Sequence, residues 1–566
     1  MTISPRRILV ITALAVTAVW LVVLAVWHEA PFALTFDDAF YYFGIARNVA
    51  QGHGSTFDGI NLTNGYHPLW MLLAVPVYLL GFDGTGAVRL LLAFQLLCYG
   101  AALVLVALVA GRAIDGWPRL RAGRPDGERA ARWCTALVAA VLAVLAANPY
   151  MVKIFANGLE SGVLVLVDAA LLAIGATVGG RFLGPLPPWR RVGIGVVLAL
   201  AFLARTDSVL LVAALGLWAL AEARPLGRRA VRPLAELFTP AAVVMAAYLA
   251  SNQLWFGLPV QISGLTKRAP LTFTHGLSFV IALAVATAIG AWGFRRTVPP
   301  RFGVTNPRSS RVGDAKTGRG RGEGSVRGRF GRVGRFTAST AWFAAFCVVV
   351  VAYYQLLQSQ QWLWYYCPVA LYVLYLAVLG AADFAEAALA EAPDRTAGRA
   401  LAPIGLILLT PLVVAFVWQA RTFVDPNQRS IEVANRDAGQ WIDANLPGDA
   451  VLASWDAGVV GYYANRPVMN LDGVANSYGF YQASRNGETG RFLTDRRLRF
   501  VVNHGTPVDG EDPDIRAFIT QTLGTDAGTG AAVMRRWPFT FSGVTTGAGG
   551  TGSGTRALDV FLYALP

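Results

Sequence analysis

The chain has 566 residues, 55% of them hydrophobic and only 14% charged, with a mean hydropathy of +0.48. Soluble domains carry about 25% charged residues, so this composition excludes an ordinary soluble protein and predicts an α-helical polytopic membrane protein. The formal charge of +14 sits mostly in short segments between apolar runs, the distribution of cytoplasmic loops rather than of a nucleic-acid-binding surface.

Met1 to Arg7 is basic, and the apolar run that follows has no small-residue cleavage site. It predicts a retained signal anchor, with residues 8–27 as the first span. A span needs about 20 mostly apolar residues. On that rule the spans are 8–27, 86–111, 134–148, 161–178, 192–204, 207–222, 234–253, 277–294, 337–354, 363–382 and 401–419, eleven in all. Tilting or half-spans are expected for the short runs 134–148 and 192–204. Arg112 to Arg132 carries six arginines, and Arg190-Arg191 and Arg224 to Arg232 mark two further basic loops. The Gly/Arg/Ser-rich tract 295–336 holds twelve Lys and Arg against two acidic residues. These four loops are assigned to the cytoplasm together with the N-terminus, and 295–336 reads as disordered. Segments 28–85, 149–160, 205–206, 254–276 and 355–362 then face outward, as does everything after Arg421. Residues 67–82 are apolar but short and interrupted by Pro76, so they are expected as a helix on the outer surface.

Beyond residue 421 charged residues return. Residues 428–445 have helical periodicity through Ile431, Ala434, Ala438, Trp441 and Ile442. Strands are expected at 451–455, 467–472, 498–503 and 558–563, a short helix at 457–464 and a Gly/Thr/Ser-rich loop at 543–556. The chain therefore divides into a membrane domain, 1–421, and a small extracytoplasmic α/β domain, 422–566. Cys98, Cys134, Cys347 and Cys367 lie in or beside apolar runs and read as packing residues.

The run Thr35-Phe-Asp-Asp-Ala-Phe-Tyr-Tyr-Phe43 puts two adjacent carboxylates, Asp37 and Asp38, among aromatics beside the membrane. Ionised groups there are costly unless something nearby uses the charge. Other outward segments add Glu160 in Asn157-Gly-Leu-Glu-Ser161, Arg205 with Asp207, Lys267-Arg268, and the aromatic run Trp362-Leu-Trp-Tyr-Tyr366. Carboxylates deprotonate hydroxyls or hold a divalent ion, Arg and Lys grip phosphate, and aromatics flank sugar rings and line the lipid boundary. A sugar linked to a lipid phosphate presents all of these features. Each residue also has a plain structural reading. Asp37 and Asp38 could cap a helix beginning at Ala39; Glu160 could start the span at 161; Arg205 and Asp207 could pair within a turn; Lys267 and Arg268 could be interfacial anchors. His53 and His67 have no partner at zinc-ligand spacing. The spans are nearly free of mid-span charges, with Asp168 as the main exception, and the polar residues cluster on one face, which weighs against a transporter or flippase reading.

The stretch Asp37-Asp-Ala-Phe-Tyr-Tyr-Phe-Gly-Ile-Ala-Arg-Asn48, continuing to Asn64-Gly-Tyr-His-Pro-Leu-Trp70, resembles the acidic first-loop motif of the GT-C superfamily of membrane glycosyltransferases. Asn157-Gly-Leu-Glu-Ser161 is similar to a short motif in some members, and the closest flavour is that of bacterial arabinofuranosyl- and mannosyltransferase-like proteins of the cell envelope. The resemblance implies a multi-pass protein of the bacterial cytoplasmic membrane that takes a polyprenyl-phosphate sugar as donor. It also implies a glycan or protein acceptor on the outer side and inversion at the anomeric carbon. Asp37 or Asp38 is then the general base. Arg205, Lys267, Arg268, Glu160, Tyr41, His67 and Trp364 are the candidates for binding the donor phosphate and sugar. A divalent cation, Mg or Mn, on Asp37 and Asp38 is optional. The Trp-Trp-Asp motif of oligosaccharyltransferases is absent, which implies transfer of a single sugar. The alternatives are a flippase for a lipid-linked saccharide and a non-catalytic envelope assembly protein.

Overall fold

The computed structural model describes residues 4–114, 125–268, 273–297, 332–358, 361–391, 396–424, 430–547 and 550–566. The tract 298–331, the centre of the expected disordered loop, lies outside them. Among the described residues, six helices are long and apolar enough to cross a membrane: Pro5–Val26, Gly84–Ile114, Ser161–Val178, Thr206–Phe256, Gly276–Thr297 and Leu363–Ala385. The pair Arg132–Ala147 and Pro149–Phe155, bent by 65°, makes a seventh if it is one span.

The count of eleven is therefore not reached on length and hydropathy, although the eleven apolar runs are all helical. The physical reasons differ from run to run. Pro188–Ala204 and Ala341–Leu357 have 17 residues each, about 25 Å at 1.5 Å per residue, short of a hydrocarbon core. The runs 207–222 and 234–253 form two helices, Val209–Ala223 and Val231–Phe256, parted at Gly227 (φ 55°), and the first has only 15 residues. Pro68–Leu79 is a separate helix of 12 residues. Trp70, Met71, Ala74 and Tyr78 are buried on one side, while Leu72 and Leu79 stay exposed. At about 18 Å it is too short to cross, as its sequence predicted.

The first-loop helix Asp37–Ala50 is buried nearly all round. Phe40, Tyr41, Tyr42, Phe43, Ile45 and Ala46 are each no more than 5% exposed. It packs against the short helix Pro68–Leu79 and against Gly458–Ala464 of the C-terminal domain.

The C-terminal domain is a five-stranded mixed sheet with helices on both faces. The strands are β1 (Val451–Ser454), β2 (Val468–Asn470), β3 (Leu498–Gly505), β4 (Ala532–Gly547) and β5 (Gly550–Ala564), in the order β2-β1-β3-β5-β4. β1 runs parallel to β2 and β3, and β5 is antiparallel to both β3 and β4. The two-residue period of strands sorts the side chains into two cores. Val451, Ala453, Met469, Val501, Phe561 and Tyr563 face the helices Tyr478–Arg485, Thr489–Asp495 and Pro513–Leu523. Leu452, Val468, Val502, Val560 and Leu562 join Ala434, Ala438 and Ile442 of Ile431–Asn445, and this second core is continuous with that of the membrane domain. Strands buried on both faces need unbroken apolar runs, which is why Val451-Leu-Ala-Ser was readable in advance. The expected strands β1, β2, β3 and β5 are present. β4 was not foreseen, and 543–556, expected as a loop, lies almost wholly in the extended arms of the β4–β5 hairpin.

The first loop and this domain touch closely. Gly65 packs against the backbone of Val474, where a Cβ would collide with the Val474 carbonyl oxygen. Gly65→Ala is expected to destabilise the protein by about 1–3 kcal/mol, the usual cost of overpacking. Gly86→Ala, with open space around it, is the control. Thermal unfolding in detergent checks this; equal midpoints for the two variants would contradict the contact.

Candidate functional site

Five expected outward segments converge on one pocket of about 130 Å³. Its wall includes Asp38, His67, Glu160, Arg205, Lys267 and Trp364. The organising group is Arg205. Pro188–Ala204 ends there, the backbone turns extended (φ −156°), and a 3-10 turn, Thr206–Ser208, starts the next helix. This break projects the guanidinium inward, 4% exposed. Its Nη1 donates to Glu160 Oε1 at 2.7 Å, its Nε to Asp207 Oδ2 at 3.0 Å and its Nη2 to the Tyr354 hydroxyl at 2.7 Å. Tyr354 donates in turn to Asp207. The rings of Tyr354 and Tyr365 stack at 4.4 Å and both lie within cation–π range of Arg205. A planar fork with donors in fixed directions is what such a three-way junction requires.

Glu160 sits at the start of Ser161–Val178 without capping it. Its second oxygen accepts from the Tyr42 hydroxyl at 2.9 Å, and that hydroxyl accepts from the His67 backbone N–H. His67 Nδ1 accepts from the Thr206 backbone N–H at 3.2 Å. A backbone N–H only donates, so the ring proton is on Nε2, which faces Glu160 Oε1 at 3.7 Å. Burial lowers the His67 pKa from 6.5, while Glu160 pulls it upward.

The carboxylate pair is split. Neither residue caps its own helix, whose N-cap position is Phe36. Asp37 turns away from the pocket: its Oδ2 accepts from Gly458 N–H and its Oδ1 from Val459 N–H, both at 2.8 Å. Burial raises the Asp37 pKa and the Asp456 carboxylate adds to this, against the two N–H bonds. Asp38 faces the pocket, with Lys267 Nζ at 3.3 Å from its Oδ2. For Lys267, burial lowers the pKa, but Asp38 leads the groups that raise it and the net shift is upward.

The remaining expected residues divide. Trp364 lines the pocket, stacked on Trp362 at 5.2 Å and against Phe36 at 4.5 Å. Tyr41 also lines it, but its hydroxyl donates to the Trp455 carbonyl and accepts from Ala457 N–H and Asn470 Nδ2. Arg268 is exposed, is not part of the lining and pairs through its backbone with Gln358. His53 is exposed beside Asn48. Contributors that were missed include Tyr42, Gln261, Tyr354 and the C-terminal loop around Val474. Tyr42 lay inside the acidic motif and could have been named. Tyr354 sits in the apolar run Ala341–Leu357, where nothing distinguishes a site tyrosine from a packing one.

The pocket wall carries three carboxylates (Asp38, Glu160, Asp207) against two cations (Arg205, Lys267). Among the described residues no three His, Cys, Asp or Glu side chains are grouped to hold a metal ion. Asp37 and Asp38 also spend their oxygens on different partners, so the pair does not fit a shared cation in this arrangement.

Residues 423–551 match a family described as a domain of unknown function (DUF8728). No curated protein matches the chain.

Arg205→Ala strands Glu160 and Asp207 without their counter-charge and is expected to cost about 3–5 kcal/mol. Arg205→Lys keeps the charge, loses the fork and recovers only part of this. Melting curves of the three proteins check this, and an unchanged Arg205→Ala midpoint would refute the junction. His67 titrates below 6.5 when folded, so the unfolded chain binds the extra proton first. Stability is full above pH 6.5 and falls as pH drops below it. His67→Gln is expected to flatten that part of the profile, as read from melting points between pH 5 and 8.

Proposed function

We propose that the chain is a GT-C-like membrane glycosyltransferase. It transfers a single sugar from a polyprenyl-phosphate donor to an acceptor hydroxyl at the outer face of a bacterial cytoplasmic membrane. The observation that carries the reading is the Asp38–Lys267 pair at 3.3 Å in a pocket that also presents Trp364 and Tyr365, at the start of the apolar helix Leu363–Ala385. A base, a cation and an aromatic shelf together at the end of an apolar helix support a lipid-borne sugar as the donor.

In this reading Asp38 takes the proton from the acceptor oxygen as that oxygen attacks the anomeric carbon opposite the phosphate, and the configuration inverts. Lys267 is drawn from Asp38 to the departing phosphate, which frees the carboxylate at the moment it is needed and offsets the charge that develops. Arg268, outside the wall, supports the phosphate from the surface. Arg205 already bonds two carboxylates and a phenol, so its role is to position Glu160, Tyr354 and the pocket wall rather than to grip phosphate. His67 and Glu160 complete that frame, and Trp364 is the platform for the sugar. No step passes through a metal ion.

One observation favours the flippase reading. Asp168, buried in Ser161–Val178, has no hydrogen-bond partner on either oxygen among the described residues, as a polar group along a transport path would. Reconstituted vesicles with a labelled polyprenyl-phosphate sugar separate the two. A new glycosidic bond is the expected product, whereas lipid movement without one would favour the flippase. Asp38→Asn is expected to lower transfer by about 10²–10⁴-fold, the usual weight of a general base, in a protein that still inserts and folds. Transfer near the wild-type rate in Asp38→Asn would remove this mechanism.

A further inference from the structure

Asp37 and Asp38 are neighbours in sequence, yet they serve different partners. Both Asp37 oxygens are taken by backbone N–H groups of the C-terminal domain, Gly458 and Val459, at 2.8 Å. The fit is close on both sides: a Cβ at Gly458 would strike the Asp37 carbonyl oxygen. One turn later Tyr41 grips the same segment. Its hydroxyl donates to Trp455 O at 3.2 Å and accepts from Ala457 N–H at 3.1 Å and Asn470 Nδ2 at 2.7 Å. Asn470 Oδ1 accepts from Ala475 N–H and so shapes the loop 470–476. That loop reaches the pocket, where Val474 forms part of the wall. Exposed Asp472 acts electrostatically on Lys267 and is itself influenced by Asp38.

We infer that Asp37 is a latch that docks the C-terminal domain on the first-loop helix, and that the docked loop 470–476 is a fixed wall of the pocket on the side away from the membrane helices. Its meaning for catalysis rests on the glycosyl-transfer reading. The donor, carried by lipid, enters along the helices, so the wall that the C-terminal domain supplies faces the acceptor. Asp37 is then a positioning residue: it touches neither reactant and holds the wall that orients one of them. A carboxylate accepting two N–H bonds cannot be replaced by an amide without turning an NH₂ group toward one of those donors.

The test is hydrogen–deuterium exchange of the full chain in detergent, which needs no substrate. Losing one charge-assisted bond is expected to speed exchange of amides 456–476 about tenfold in Asp37→Asn. Gly458→Ala, which spoils the same contact from the other side, is expected to show the same pattern, and Asp38→Asn none. Wild-type exchange in Asp37→Asn, or equal acceleration in Asp38→Asn, would overturn the latch. In the transfer assay Asp37→Asn is expected to raise the acceptor KM with kcat largely kept, whereas Asp38→Asn lowers kcat. A kcat loss in Asp37→Asn equal to that in Asp38→Asn, with no exchange change, would return Asp37 to the chemistry. If the wild-type protein transfers no sugar at all, the reaction reading fails while the exchange result still decides the latch.

Discussion

A guanidinium removed from water has to be met by groups that replace its hydration. Arg205 meets two carboxylates and a phenol that come from three places in the chain, the start of Ser161–Val178, the turn after its own helix and the helix Ala341–Leu357, and Tyr42 of the first loop is bonded behind Glu160. These elements have no reason to keep a common register through apolar packing alone, since lipid-facing and protein-facing leucines cost nearly the same. The buried junction supplies the register. The pocket is what remains between segments fixed in this way, and its polar wall follows from the need to satisfy one cation several times over.

The second constraint is the seam between the two halves of the chain. It is built from aromatics as well as from the Asp37 contact. Phe40 packs on Tyr462 at 5.5 Å and Phe32 on Tyr463 at 6.1 Å, the hydroxyls of Tyr78 and Tyr462 meet at 3.1 Å, and Arg436 lies over Phe32. The Phe-Tyr-Tyr-Phe run after the acidic pair is therefore explained largely as adhesive between domains. Only Tyr41 and Tyr42 of that run also reach the pocket.

Much of this was legible before the structure. Hydropathy located the helices, and the alternation and apolar content of Val451-Leu-Ala-Ser and Leu498-Arg-Phe-Val-Val located two strands. The chemistry of carboxylates and cations in the segments expected to face outward pointed to the residues that meet around the pocket. Three things were hidden. The division of labour between Asp37 and Asp38 depends on which of two adjacent side chains turns toward a helix some 420 positions away, and no local pattern encodes that. The partners of Arg205 include a tyrosine disguised by an apolar run. β4, beginning Ala532-Val-Met-Arg-Arg-Trp-Pro, carries a proline and an arginine pair that read as irregular chain. It is tolerated because β4 is an edge strand, with one row of N–H groups unpaired in any case.

The position of β5 has a bearing on what counts as a unit. Family likeness runs from 423 to 551 and so stops almost where β5 begins, yet β5 is the strand that joins β4 to β3. A fragment cut to the matched segment would lose a middle rib of its sheet and leave β4 with nothing to pair against. The same cut would also bare the face of Val459, Val460 and Tyr462 that the first loop covers. Ancestry and hydrogen bonding thus draw the border of this module in different places, and an expression boundary should follow the second.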